Sequence, residues 1–189
     1  AFKAEVNFDG KGNAYAAELL PETLTFKGVD FKLNDPALAN GMKCRQDTIA
    51  LPAGNYNKLY LLAAATRHDT QCTFTVGGKS QDVVVPYYGG FIGQWGHTGH
   101  TEEFLKAADI AFVGTHKHGM IYNKDLAYDY AYMFCIPLDI PAAAEYFVVP
   151  ANQQIVLVAA TAVADENNVA VPCSDLLRIG MEPTEEGEV

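Results

Sequence analysis

The feature that most constrains this chain is a two-residue hydrophobic alternation that recurs along most of its length. Successive side chains of a strand point to opposite faces, so alternation at period two marks half-buried β-structure rather than helix. In "ETLTFKGVDFKL" the apolar positions are Leu24 and Phe26, then Phe31 and Leu33, with Gly28 placed for a turn or bulge. "CTFTV" and "QDVVVP" flank Gly77-Gly78, a strong signal for a two-residue hairpin loop. "DTIAL", "DIAFVGTH", "YDYAYMF" and "EYFVV" read the same way. "NKLYLLAAAT" and "QQIVLVAATAV" are instead nearly continuous apolar runs, and the first reads as a central strand buried on both faces. About ten short strands separated by turn signals predict an all-β, single-domain β-sandwich or jelly roll. Strand–helix alternation is absent, which argues against a parallel α/β sheet. Helix signals are confined to "TEEFLKAA" (101–108), where Thr101 is a candidate N-cap, and "SDLLRIGM". One domain over residues 1–180 and an acidic tail over 181–189 are expected.

Charge narrows the partners. Thirteen Lys and Arg against 23 Asp and Glu give a formal charge of −10. Such a field repels nucleic acid and anionic membrane surfaces and leaves a neutral ligand such as a carbohydrate unaffected. No apolar run approaches the ~20 residues a membrane span needs. The chain opens "AFKAEV", without Met and without a signal-peptide pattern, as expected for a mature form or an excised segment. Cys44, Cys72, Cys135 and Cys173 are widely spaced with no C-x-x-C, which excludes zinc-ribbon patterns and leaves buried thiols or one or two disulfides.

Four groups of residues carry candidate chemistry. His97, His100, His116 and His118 lie within 22 residues. His116 and His118, two apart on a strand, point to one face; with His97 and His100 they define a metal-dependent alternative. A metal held by two imidazoles needs at least one further ligand, so the expectation is no metal, with His116 and His118 as hydrogen-bonding groups. "PYYGGFIGQWGHTGH" (86–100) holds five glycines, Tyr87, Tyr88 and the only tryptophan, Trp95. That many glycines preclude a regular element, and a long aromatic loop is the best ligand-contact candidate in the chain. Tyr128, Tyr130, Tyr132 and Phe134 form an aromatic ladder in strict alternation. The ladder is expected to be a packing face rather than an open binding platform, with Phe134 and Tyr132 inside and Tyr128 nearer the rim, and with tyrosine hydroxyls bonded to His116 and His118 across a hairpin. "NFDGKGNAY" places Asp9 and Asn13 on a tight glycine loop, a candidate for calcium or a plain turn. There is no G-x-S-x-G, P-loop or dinucleotide fingerprint, and Ser80 and Ser174 are the only serines, so serine hydrolysis is not expected.

The ordered phrases "FDGKGNAYAAELLP", "GVDFKL", "DTIALPAGNYNKLYLLAAA", "GGFIGQW", "THKH", "YDYAYMF" and "IPAAAEYFVVPANQQIVLVAATAV" span residues 7–164. Together they resemble the C-terminal β-sandwich module, galactose-binding-like in fold, of bacterial alpha-mannosidase-like glycoside hydrolases. The resemblance departs at Arg45-Gln46-Asp47-Thr48-Ile49 and in a shortened segment after Trp95. It implies a non-catalytic, carbohydrate-associated module that binds glycan or packs against a glycoside hydrolase domain. A periplasmic or extracellular location and Trp95, Tyr87, Tyr88, His116 and His118 as ligand contacts go with that expectation. A small metal-dependent β-sandwich enzyme and a purely structural module are the alternatives.

Overall fold

A computed structural model of the chain describes residues 8–33, 41–90, 106–119, 123–164 and 169–173. Among the described residues thirteen strands carry the fold: β1 (Asn13–Tyr15), β2 (Thr23–Phe26), β3 (Val29–Lys32), β4 (Met42–Lys43), β5 (Thr48–Ala50), β6 (Lys58–Ala65), β7 (Thr70–Val76), β8 (Lys79–Val85), β9 (Asp109–Gly119), β10 (Lys124–Asp139), β11 (Tyr146–Val148), β12 (Ile155–Ala164) and β13 (Val169–Pro172). The ten strands expected from alternation are all present. The three additional ones, β1, β4 and β13, are only two to four residues long, too short for a periodic signal. The sole helical turn among the described residues is a 3-10 turn at Ala17–Leu19. Of the helix expected over 101–108, only residues 106–108 are described; they form a bend that enters β9, where Ala108 packs against both hydrophobic clusters. The second expected helix and the acidic tail lie outside the described residues.

A seven-stranded sheet runs β1-β9-β10-β6-β12-β13, with β4 also paired to β12. A four-stranded sheet, β5-β11-β7-β8, covers one of its faces, and the β2–β3 hairpin covers part of the other. All the strand pairings named here are antiparallel. The architecture is thus the expected all-β sandwich. Gly77 and Gly78 both have positive φ (53° and 83°) and close the β7–β8 hairpin with Val76 opposite Lys79, the two-residue turn the dipeptide predicts. A Cβ on Gly77 would lie 2.5 Å from that of Ala144, so glycine is required there on steric grounds as well.

Two hydrophobic clusters explain the two apolar runs. On β6, Leu59, Leu61, Ala63 and Ala65 belong to one cluster and Leu62 and Ala64 to the other. On β12, Ile155 and Leu157 fall in the first cluster, but so do Ala160 and Ala162. The switch of parity comes from a bulge: Leu157 pairs with Ala63 and Ala159 with Leu62, which leaves Val158 as the extra residue. Thr161, fully buried, donates its hydroxyl to the Asp30 carbonyl at 2.8 Å and ties the β2–β3 hairpin to this sheet. All four cysteines are free thiols; Cys44, Cys135 and Cys173 are buried and Cys72 is half-buried. Burial pushes the Cys135 thiol up to about 11 and that of Cys173 to about 12, which keeps them protonated and unreactive near neutrality.

Phe134 is completely buried at the β10–β6 contact, opposite Ala63. Phe134→Ala should lower unfolding stability by about 3–5 kcal/mol, read as a reduced urea midpoint. A loss below about 1 kcal/mol would show that the site collapses around the deletion and is not a packing anchor.

Candidate functional site

The β9–β10 hairpin brings most of the described candidate residues together. On β9 the side chains alternate, so His116 and His118 share one face and Lys117 takes the other. Asp125 of β10 stands opposite His118 and Ala127 opposite His116, while Ala14 of β1 flanks His118 on its other side. His116 Nε2 lies 2.7 Å from Glu18 Oε1, on the 3-10 turn, and His118 Nδ1 lies 3.0 Å from Asp125 Oδ1. The other ring nitrogen of His116 is 3.3 Å from Thr115 Oγ1. The hydrogen bond to His116 first of all, then a backbone hydrogen bond, holds the Glu18 carboxyl below the usual range.

These histidines therefore bond to carboxylates, not to the tyrosine ladder as the sequence suggests. The reason is register: the hairpin pairs Asp125 with His118 and Ala127 with His116, so the even-numbered tyrosines of β10 fall on the Lys117 face. A bulge follows further along the pair. Between Ala127 and Ala131, β10 advances four residues while β9 advances only two, from His116 to Gly114. Tyr128, Asp129 and Tyr130 must fit opposite Thr115 alone, and Tyr128 takes a left-handed conformation with φ of 62°. A small alanine, not a tyrosine, already faces His116 before the bulge begins. Beyond the bulge the ladder descends from solvent to core as expected: Tyr128 is 86% exposed, Tyr130 40%, and Tyr132 and Phe134 are buried. Tyr130 and Tyr132 stack at 6.4 Å with an interplanar angle of 5°.

The opposite face of β9 holds a buried polar network. The Lys117 side chain is only 5% exposed; its Nζ lies 2.6 Å from Asp129 Oδ1 and 4.7 Å above the centre of the Tyr88 ring. A Cβ on Gly89 would sit 2.7 Å from that Nζ, so glycine makes room for the ammonium. Tyr88 is fully buried and donates its hydroxyl to Asp9 Oδ2 at 2.7 Å. Asp9 also accepts from Lys11 N (2.8 Å), Asn13 N (3.1 Å) and Asn13 Nδ2 (2.7 Å). Burial raises the Asp9 pKa, but these four hydrogen bonds, led by Tyr88, outweigh it and leave the carboxyl below 3.8. In the glycine loop at Asp9 and Asn13 the carboxylate binds backbone N–H groups of its own turn, the Asn13 side chain and Tyr88.

Tyr87 and Tyr88, adjacent in sequence, have different fates. Tyr88 is an interior residue, whereas Tyr87 is half-buried, packs edge-on to Tyr88 at 5.2 Å, and donates its backbone N–H to Asp69 at 2.7 Å. Burial first, then the charges of Asp9 and Asp129, raise the Tyr87 pKa. Trp95, His97 and His100 lie outside the described residues. Sequence reasoning missed Glu18, Lys117, Asp125 and Asp129. Strand alternation implies that Lys117 points away from the histidines, but nothing in the sequence signals its burial, a two-residue bulge or the approach of Glu18.

Two stability predictions follow from the polar network. Asp129→Asn leaves the Lys117 ammonium buried without its counter-charge, and Asp129 is itself 45% exposed. Screening discounts the pair, so a loss of about 1–2 kcal/mol is expected, against less than about 1 kcal/mol for Lys117→Met, which keeps the aliphatic packing. Equal losses in urea melts would refute the asymmetry. For Asp9, the folded pKa lies below the unfolded value of 3.8. Its contribution is therefore present above that pH and lost as pH falls through the folded pKa. Asp9→Asn should flatten this part of the acid limb of the stability–pH curve; an unchanged limb would remove Asp9 from the account.

No curated protein matches the sequence. The sequence model of the family described as the AziU2-like beta-sandwich domain matches residues 1–166, the span that contains both hydrophobic clusters' main strands and every candidate site residue named above. The β-sandwich module read from the alternation has, in that match, a family of its own: the chain belongs to the AziU2-like beta-sandwich domain family.

Proposed function

We propose that this chain is a non-catalytic, carbohydrate-associated module that meets a neutral, hydroxyl-rich ligand at the outer end of the β9–β10 hairpin. The observation that carries the reading is the tyrosine ladder where it leaves the core: Tyr130 is 40% exposed, stacked on buried Tyr132, and followed outward by Tyr128. A tyrosine held by a stacked neighbour presents a pre-oriented apolar face to the C–H surface of a sugar ring, and its hydroxyl remains a polar handle. Between Tyr128 and Tyr130 stands Asp129, a half-exposed carboxylate fixed by Lys117 and suited to accept from ligand hydroxyls. Tyr87 lies within the electrostatic reach of the same carboxylate. The net charge of −10 favours a neutral ligand over an anionic one. Trp95, in the glycine-rich stretch that follows Tyr87, is a further aromatic contact in this reading. The resemblance of the sequence phrases to accessory modules of alpha-mannosidase-like glycoside hydrolases implies the same class and a second form, packing against a hydrolase domain; the family match speaks for the β-sandwich alone.

Retention on immobilised glycans tests the proposal. Tyr130→Ala should reduce retention at least about tenfold, the ~1–3 kcal/mol scale of a lost aromatic contact, while the urea midpoint changes little. Asp129→Asn should weaken it as well. Absence of retention across a broad glycan array, or full retention by Tyr130→Ala, would defeat this reading.

A further inference from the structure

The acid–imidazole cluster on the other face of β9 has a geometry that the ligand reading leaves unused. Glu18, His116 and Asp125 each offer one ligand atom, and the three atoms lie within 4.8 Å of one another. They come from three separate segments: the 3-10 turn, β9 and β10. We propose that these three residues bind one borderline divalent transition ion, such as zinc(II), with His118 holding the Asp125 carboxylate in place.

The donor set selects the class of ion. One imidazole nitrogen and two carboxylate oxygens suit zinc and its neighbours, whereas calcium requires six to eight oxygens. Bonds of about 2.0–2.2 Å at tetrahedral angles place donors roughly 3.4 Å apart. The Asp125 donor atom lies within 4.8 Å of the other two, so it must close by no more than about 1.4 Å to reach that spacing. The 2.7 Å contact of His116 Nε2 with Glu18 Oε1 must open by somewhat less than 1 Å, which a 55% exposed Glu18 side chain permits. That short contact holds a proton between nitrogen and oxygen. The ion takes the proton's place, and the proton is released to solvent.

The surroundings prepare the ligands. Thr115 Oγ1 is placed to accept from His116 Nδ1–H, the tautomer that leaves the Nε2 lone pair for the metal. His118 contacts Asp125 Oδ1 and orients that carboxylate. Ala127, opposite His116 on β10, and Ala14, opposite His118 on β1, are small and set no bulky side chain against the imidazoles. Asp125 and Glu18 repel each other, and a dication relieves that repulsion. The two imidazoles and two carboxylates carry a net −2 when the imidazoles are neutral, matching the charge of the ion.

Zinc chloride titrated calorimetrically into the EDTA-treated full chain near neutral pH tests the site. One ion per chain is expected. His116→Ala and Asp125→Asn should weaken binding at least tenfold, and Glu18→Gln, at a 55% exposed side chain, should weaken it severalfold with the urea midpoint little changed. A His97→Ala/His100→Ala double variant should bind like the parent. Absence of saturable binding, or unchanged affinity in Glu18→Gln and Asp125→Asn, would overturn the proposal. So would loss of binding in the His97/His100 variant with His116→Ala unaffected.

Discussion

Burial of both faces of the large sheet is the constraint on which the rest of the structure depends. A sheet with one wet face needs apolar residues only at alternate positions; β6 and β12 need them almost everywhere, because two separate clusters press on them. Each large side chain removed from water there contributes on the order of 1.5–3 kcal/mol. The alanines of "LLAAAT" and "VAATAV" matter as much as the leucines. They let the covering layers approach closely enough for Thr161 to reach the β2–β3 hairpin. The bulge at Val158 belongs to the same economy of space, since it swaps which residues of β12 serve which cluster halfway along the strand.

Where that double cover ends, polar groups take over. β9 and β10 extend toward the edge of the sheet, and the second bulge, at Tyr128 to Tyr130, forms there. One of its consequences is packing: the tyrosine ladder passes from the core into solvent. The other is electrostatic. Asp129 reaches Lys117, whose ammonium is otherwise enclosed by Tyr88 and Gly89, and Tyr88 in turn hands its hydroxyl to Asp9. An enclosed ammonium and an enclosed carboxylate are each tolerable because every one of these groups has a hydrogen-bonding partner. The strand period then sets the histidines on the reverse face, away from this network and beside Glu18 and Asp125.

Much of this was legible in the residues. Period-two alternation located ten strands, the Gly77-Gly78 pair marked its hairpin, and the gradient from Tyr128 to Phe134 followed from the absence of a hydroxyl on Phe134 and the mid-strand place of Tyr132. Strands β1, β4 and β13 escaped because two to four residues cannot show a period. Tyr88 was grouped with Tyr87 as a contact residue, and only the enclosure of its ring by Phe8, Tyr15 and Lys117 separates the two.

The sequence by itself determined the class of fold, because alternation and turn chemistry are local: a side chain's direction on a strand depends on its parity, and a positive-φ turn on its glycines. It also determined that His116 and His118 share a face. Only the tertiary structure decided what they face. The partners Glu18 and Asp125 are 98 and seven residues away, and the register that sets Ala127 rather than a tyrosine opposite His116 is a property of how two strands pair, not of either strand alone.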